Sequence, residues 1–314
     1  MTRAFIFPGQ GSQTVGMGKD LADTYQTARE TFEEINDALG LNLTKIMWEG
    51  PDSDLNLTEN TQPALMAVSM AVMNVLTKDA GIVLPNVASF VAGHSLGEYA
   101  ALTAAGSFTL SDTSRLLKLR GQSMQQAVPV GQGAMAAILG LEFDQVKAIA
   151  LEASASEVCE AANDNAPGQV VISGHKAAVE AAIALATAAG AKRALPLPVS
   201  APFHCALMAP AAEKMKEALA KTSIRPPVVP VVANVTASAV TDPDQIRSLL
   251  VEQITGRVRW RESVIWMKEQ GVTEMIEIGA GKVLAGLVKR IEGDVASSSV
   301  GTPAQIDELV AKLK

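Results

Sequence analysis

Short, nearly continuous apolar runs alternate along the chain with longer stretches in which apolar side chains return every three or four positions. Ala4 to Phe7 is one such run, closed by Pro8-Gly9, and Val87 to Ala92 is another, closed by Gly93. Runs this short, bounded by glycine or proline, predict strands buried on both faces, as in a parallel sheet. Helical spacing dominates elsewhere, over Leu21 to Leu39 and Ala64 to Thr77, and Ser111-Asp112 can cap a helix that continues to Gln126. Strand, helix, strand is the order of an α/β fold.

The pattern changes at Pro129-Val130-Gly131-Gln132-Gly133, which reads as a junction. Beyond it the spacing predicts strand Ala134 to Leu139, helix Phe143 to Ser154, strands Val158 to Ala162 and Gln169 to Ser173, helix Lys176 to Ala189 and strand Lys192 to Val199. That β-α-β-β-α-β order is the split βαβ unit of ferredoxin-like folds. After Pro202 the first pattern resumes, with helix Ala209 to Lys221, strand Pro230 to Val235, helices Asp244 to Thr255 and Arg261 to Gln270, strand Glu274 to Ile278 and helix Lys282 to Ile291. The expectation is a discontinuous main domain, residues 1–129 and 200–314, interrupted by a ferredoxin-like insert, residues 130–199.

Composition narrows the function. With 314 residues, 48% of them hydrophobic and 19% charged, the chain can bury a large core. A net charge of −7 argues against nucleic acid or an anionic membrane as partner. The first residues break at Pro8-Gly9 too early for a secretory signal, and the apolar run Ala64 to Leu76 falls short of the roughly 20 residues of a membrane helix. Two cysteines, Cys159 and Cys205, make neither a disulfide framework nor a zinc motif. A cytoplasmic protein, monomeric by default, is expected.

The candidate chemistry centres on Gly93-His94-Ser95-Leu96-Gly97, which follows a predicted strand and precedes a helical pattern. This is the setting of a nucleophile elbow, where glycines allow a sharp turn that presents the serine hydroxyl. A serine needs a base, and the chain has three histidines. His94 adjoins the serine and should point elsewhere, and His175 opens a helix of the insert. His204, in the proline-broken loop that returns from the insert, remains as the base. Cys205 beside it lacks an elbow and reads as a small core residue. No acid with a distinctive context lies between Ser95 and His204, so an amide or a backbone carbonyl is expected to orient the histidine. Gly9-Gln10-Gly11 follows the first strand and can supply oxyanion-hole amides, whereas it lacks the third glycine of a dinucleotide site. Gly279-Ala280-Gly281-Lys282 reads as a strand-to-helix turn that could meet a phosphate.

These segments, with Thr61-Gln62-Pro63-Ala64, Arg120-Gly121, Gly133-Ala134-Met135, Pro167-Gly168-Gln169-Val170-Val171 and Phe203-His204, resemble the bacterial malonyl-CoA:acyl carrier protein transacylase family over nearly the whole chain. The resemblance implies an α/β-hydrolase-like main domain with a ferredoxin-like insert, and a malonyltransferase of fatty acid biosynthesis. Its donor would be malonyl-CoA, its acceptor acyl carrier protein, and it needs neither metal nor bound organic cofactor. It further implies that Ser95 carries the malonyl group and that His204 moves the proton. Gln10 and Leu96 would supply the oxyanion-hole amides, and Arg120 would grip the free malonyl carboxylate. On pattern alone Arg120 reads as a surface helix residue. Family members have glutamine in the place read here as Arg259 and orient the histidine through its main-chain carbonyl, so the Arg259 backbone is the expected orienting group. Phe203 weakly favours malonyl over bulkier groups. Arg257, Arg259 and Arg261, which share a face if extended, and Lys192, Arg193 and Lys282 are candidates to meet the anionic substrates. A hydrolase using the same Ser95 and His204, and a non-catalytic docking module, are the rival readings.

Overall fold

The computed structural model describes residues 2–155, 157–199 and 201–314. Ser200, where the second segment of the main domain was expected to begin, therefore lies outside the described residues. Strands run β1 (Arg3–Phe7), β2 (Phe90–Gly93), β3 (Gly133–Leu139), β4 (Cys159–Ala166), β5 (Gln169–His175), β6 (Arg193–Pro196), β7 (Val231–Ala233), β8 (Ser238–Val240), β9 (Glu274–Ile278) and β10 (Ala296–Val300). The helices are α1 (Lys19–Thr24), α2 (Gln26–Leu39), α3 (Leu43–Glu49), α4 (Asp52–Leu55), α5 (Thr58–Asn74), α6 (Leu84–Val87), α7 (Leu96–Ala104) and α8 (Leu110–Ala127), then α9 (Phe143–Ala153), α10 (Lys176–Ala188), α11 (Ala209–Ala220), α12 (Pro243–Thr255), α13 (Trp260–Glu269), α14 (Val283–Ile291) and α15 (Pro303–Leu313).

A six-stranded sheet has the order β10-β9-β1-β2-β7-β8, parallel throughout except for β8, which turns back on β7. The completely buried run Ala4 to Phe7 lies at its centre, as a strand apolar on both faces must. The loops after β1 and β2 thus open side by side at the carboxyl edge, the usual ligand edge of a parallel sheet.

The second sheet is antiparallel, with order β4-β5-β3-β6 and helices α9 and α10 in the connections β3-α9-β4-β5-α10-β6. Its strands alternate as a two-faced sheet requires. Ala136, Ile138, Val170 and Ile172 pack into one core with α9 and α10, while Met135, Ala137, Gln169 and Val171 line a cleft on the other face. Strand β4 is tied to the segment between α12 and α13 by a parallel bridge between Asn163 and Val258.

The predicted single helix over Leu21 to Leu39 is broken at Tyr25, which is extended and divides α1 from α2. The strand expected from Val87 starts at Phe90, after the short helix α6. Helix α5 begins six residues before Ala64, with Pro63 in its second turn, where the missing N–H leaves one helical bond unmade. Strands β8 and β10 and helix α15 were not predicted. Ser297, Ser298 and Ser299 of β10 give an edge strand no apolar run to read.

Candidate functional site

The elbow is set by close backbone packing. A Cβ on Gly93 would lie 1.9 Å from the Gly97 carbonyl, and one on Gly97 would lie 2.3 Å from Phe7 O. Both positions therefore demand glycine, and the tight turn drives Ser95 to φ 53°, ψ −110°. Among the described residues the other non-glycine positions with positive φ are His204 and Ala237. Such conformations cost about 1–3 kcal/mol each and persist only where surrounding bonds hold them.

For Ser95 the holding group is Asn234, 1% exposed just beyond β7. Its Oδ1 accepts from the Ser95 amide at 2.7 Å, and its Nδ2 donates to Gly93 O at 2.7 Å. Gln253 of α12 adds a second tie, donating from Nε2 to Ser95 O at 3.0 Å and to Glu98 Oε2 at 2.8 Å. Glu98 also accepts from the Asn234 amide at 3.0 Å. Burial pushes the Glu98 carboxyl up to about 7, against the pull of these donors and of Arg120.

Ser95 Oγ lies 2.7 Å from His204 Nε2. On the far side of the ring, Nδ1 is 2.9 Å from Gln253 O and 3.2 Å from Gly256 O. Carbonyls only accept, so Nδ1 carries the proton and Nε2 is free to accept from the Ser95 hydroxyl. These carbonyls belong to the last turn of α12 and the residue after it, where a helix leaves carbonyls unpaired. This corrects the expectation for Arg259. Its carbonyl accepts from the Ser263 amide and hydroxyl, both at 2.9 Å, and is consumed in starting α13. Burial first, then the Arg120 cation, push the His204 imidazole down to about 3.

Arg120 is no surface residue: it is 1% exposed. Gly121 is the local reason, since a Cβ there would lie 2.5 Å from Glu59 Cα. Helix α8 therefore crosses α5 closely and turns Arg120 inward. Its Nη1 donates to Gln62 Oε1 at 2.8 Å, and its Nη2 donates to Gln253 Oε1 at 2.8 Å and to Ser95 Oγ at 3.1 Å. Nε has no partner among the described residues. Ser95, His204, Arg120, Gln10, Leu96 and Phe203 all line one cavity of about 250 Å³, whose opposite wall is the insert sheet. The site is thus a serine hydroxyl bonded both to a neutral imidazole and to a buried cation that has no carboxylate directly bonded to it.

The other candidates fall elsewhere. His94 lines the same cavity but bonds Asn165 Oδ1 at 2.8 Å, and His175 Nδ1 accepts from the Val158 amide at 2.9 Å. The buried Cys205 thiol, pushed up to about 11 chiefly by burial, donates to Pro202 O. At the turn Gly279-Ala280-Gly281-Lys282, the buried Glu277 carboxylate already accepts from the Ala285 amide at 2.8 Å, filling the place an outside phosphate would take. Arg257 and Arg259 both pair with Glu262, and Arg261 grips Asp164. Lys192 and Arg193 line a surface groove with Arg290, and Lys282 lies at another. Among the described residues no group of three or more His, Cys, Asp or Glu side chains is placed to hold a metal ion, and no helix is long and apolar enough to cross a membrane.

Sequence reasoning missed Asn234, Gln253 and Glu98. Gln253 had a readable signal. It completes the spacing Ile246, Leu249, Leu250, Gln253, Ile254 on the buried face of α12, a polar residue where the period demands an apolar one. Asn234 carried no signal beyond ending a strand.

Residues 4–312 match the model of the acyl transferase domain. The malonyl CoA-acyl carrier protein transacylase of Escherichia coli (strain K12) is 50% identical over 301 residues, 96% of either chain, and that of Bacillus subtilis (strain 168) is 45% identical over 312 residues, 99% of this chain and 97% of the relative. The crystal structure of the acyl-carrier-protein-S-malonyltransferase from Bartonella henselae superposes with a TM-score of 0.98 at 52% identity, covering 100% of this chain and 99% of that one. A malonyl-transacylase solved in complex with its type II PKS acyl-carrier protein superposes with a TM-score of 0.96 at 44% identity, covering 99% of this chain and 100% of that one.

Proposed function

We propose that this chain, which belongs to the acyl transferase domain family, transfers the malonyl group of malonyl-CoA to the phosphopantetheine thiol of acyl carrier protein, for fatty acid biosynthesis. The observation that carries the reading is the line from Arg120 Nη2 through Ser95 Oγ to His204 Nε2, with bonds of 3.1 and 2.7 Å, inside one small cavity. It puts a carboxylate-binding group, a nucleophile and a base in a single file. Ser95 Oγ bonds to the malonyl thioester carbon as its proton passes to His204 Nε2. The C–S bond then breaks, and His204 returns the proton to the departing coenzyme A thiolate. The carrier-protein thiol reverses these steps. The Leu96 amide, in the first turn of α7 and so without an intrahelical acceptor, and the Gln10 amide hold the oxyanion. Arg120 receives the malonyl carboxylate, a role suited to a planar guanidinium with a free N–H. No metal or bound cofactor enters any step.

The architecture supports a division of labour within a cytoplasmic enzyme. The six-stranded sheet and its helices, residues 1–129 and 200–314, form an α/β-hydrolase-like catalytic domain. Residues 130–199, with the order β4-β5-β3-β6, form a ferredoxin-like insert that roofs the acyl pocket. Intact-protein mass after brief mixing with malonyl-CoA tests the function. A malonyl adduct is expected on the wild type, absent from Ser95→Ala and discharged by acyl carrier protein. Steady release of coenzyme A with no adduct, and no transfer to carrier protein, would replace the transferase with a hydrolase.

A further inference from the structure

Resting on that reading, we infer that in the substrate-free enzyme Arg120 holds Ser95 in check, and that the carboxylate of the incoming acyl group releases it by taking the Nη2 N–H away from Ser95 Oγ. A guanidinium has five N–H groups, and a carboxylate takes two parallel ones from an edge. The side edge is Nε with Nη2, and the end edge is Nη1 with Nη2. Every such edge includes Nη2, whose two hydrogens are already given to Ser95 Oγ and Gln253 Oε1. Nε is buried and has no hydrogen-bond partner among the described residues, with the Tyr99 ring centroid 5.7 Å from the guanidinium carbon, so the side edge is the one with an N–H to spare. Gln253 is fully buried away from the cavity, so the bond exposed to displacement is the one to Ser95.

Two consequences follow at the nucleophile. A hydroxyl oxygen that accepts from a cation has less electron density to offer a thioester carbon. The same cation opposes the positive charge that His204 gains when it takes the serine proton, and a bound carboxylate cancels that opposition. The charged and titratable groups around this pair are few. Arg120 from α8 and His94 from the elbow face His204, the Gln253 carbonyl of α12 and the Gly256 carbonyl just after it bond its ring, and Glu98 and Tyr99 from α7 face Arg120. Arg120 is then a gate as well as a grip: an acyl group without a carboxylate meets a serine that is still held.

Acetyl-CoA with added formate tests this, because an acetyl group and a formate ion together reproduce the parts of a malonyl group. Loading of Ser95 from acetyl-CoA is followed in a single turnover, with formate against equal chloride. The expected result is about tenfold faster loading of the wild type with formate, the scale of one charged hydrogen bond, and no response in Arg120→Gln. Formate that competes with malonyl-CoA yet leaves acetyl loading unchanged or slower overturns the inference. If formate does not compete, nuclear magnetic resonance titration of His204 decides. Its protonation midpoint should lie about one pH unit or more higher in Arg120→Gln than in the wild type, and equal midpoints overturn the inference. Failure of malonyl-CoA to load the wild type at all would instead remove the function on which it rests.

Discussion

Arg120 and the run Arg257, Arg259, Arg261 bring the same side chain into opposite surroundings. The three later arginines are partly exposed and each has a carboxylate, Glu262 for the first two and Asp164 for the third. Arg257 also lies over the Phe143 ring at 4.2 Å. Arg120 is sealed in, bonded to Gln62, Gln253 and Ser95, all neutral, with the Glu98 carboxyl near but not bonded to it. A cation whose anion is built into the protein serves the fold. A buried cation kept from direct pairing is costly to maintain and is understandable when a ligand brings the anion. The same contrast holds for backbone conformation, since the strained residues Ser95 and His204 sit beside Arg120 and none sits in the arginine run.

His204→Ala should lower malonyl loading on the order of 10⁴-fold, because a serine without its base keeps little nucleophilicity. Asn234→Ala removes the amide that clamps the strained serine between Gly93 O and the Ser95 amide. Loading should fall roughly 10- to 100-fold, the cost of a nucleophile displaced by up to an ångström, with the larger share in kcat rather than KM. A drop confined to thermal stability would mean the clamp is merely structural.

Acidity gives the next effect. His204 is held down to about 3 in the folded enzyme, so its base form persists far below the ordinary value of 6.5. The kcat/KM for malonyl-CoA should therefore stay nearly flat from pH 7.5 to 5.5, where an unperturbed histidine would cost about tenfold. The sign for stability is opposite to that of a histidine with an acidic partner. The unfolded chain takes the proton first, so this group's contribution to stability falls as pH drops from 6.5 toward 3.

The smallest effects belong to the arginine run. Arg261→Ala strands Asp164, whose side chain is 1% exposed, and should cost about 1–3 kcal/mol in denaturant unfolding with malonyl loading unchanged. Arg259→Ala loses a partly exposed pair with Glu262, whose two side chains are 32% and 31% exposed, and should shift stability by no more than about 1 kcal/mol. A large loss of loading in either variant would erase the distinction between the two arginine settings.

What the sequence revealed and what it hid divide along physical lines. The elbow was legible because its glycines, serine and flanking strand and helix are contiguous, and His204 because only three histidines exist. Arg120 was misplaced by pattern, although Leu116, Leu117 and Met124 share its buried face and an arginine interrupting that stripe was itself the signal. The group that orients His204 was assigned to Arg259 because correspondence was sought at one residue, whereas unpaired carbonyls arise wherever a helix ends, here after Gln253. Asn234 stayed hidden because its role depends on the neighbouring strand β2, a contact made 141 residues away in sequence.

The measurement that bears most directly on this account is the ratio of malonyl to acetyl loading of Ser95, from paired single-turnover runs on the wild type and Arg120→Ala. The account predicts that malonyl loading falls on the order of 100-fold, as expected for losing a buried charged partner, while acetyl loading holds or rises, so the ratio collapses. An equal fall for both acyl groups would contradict it, and would leave Arg120 as a support for Ser95 with no part in choosing the substrate.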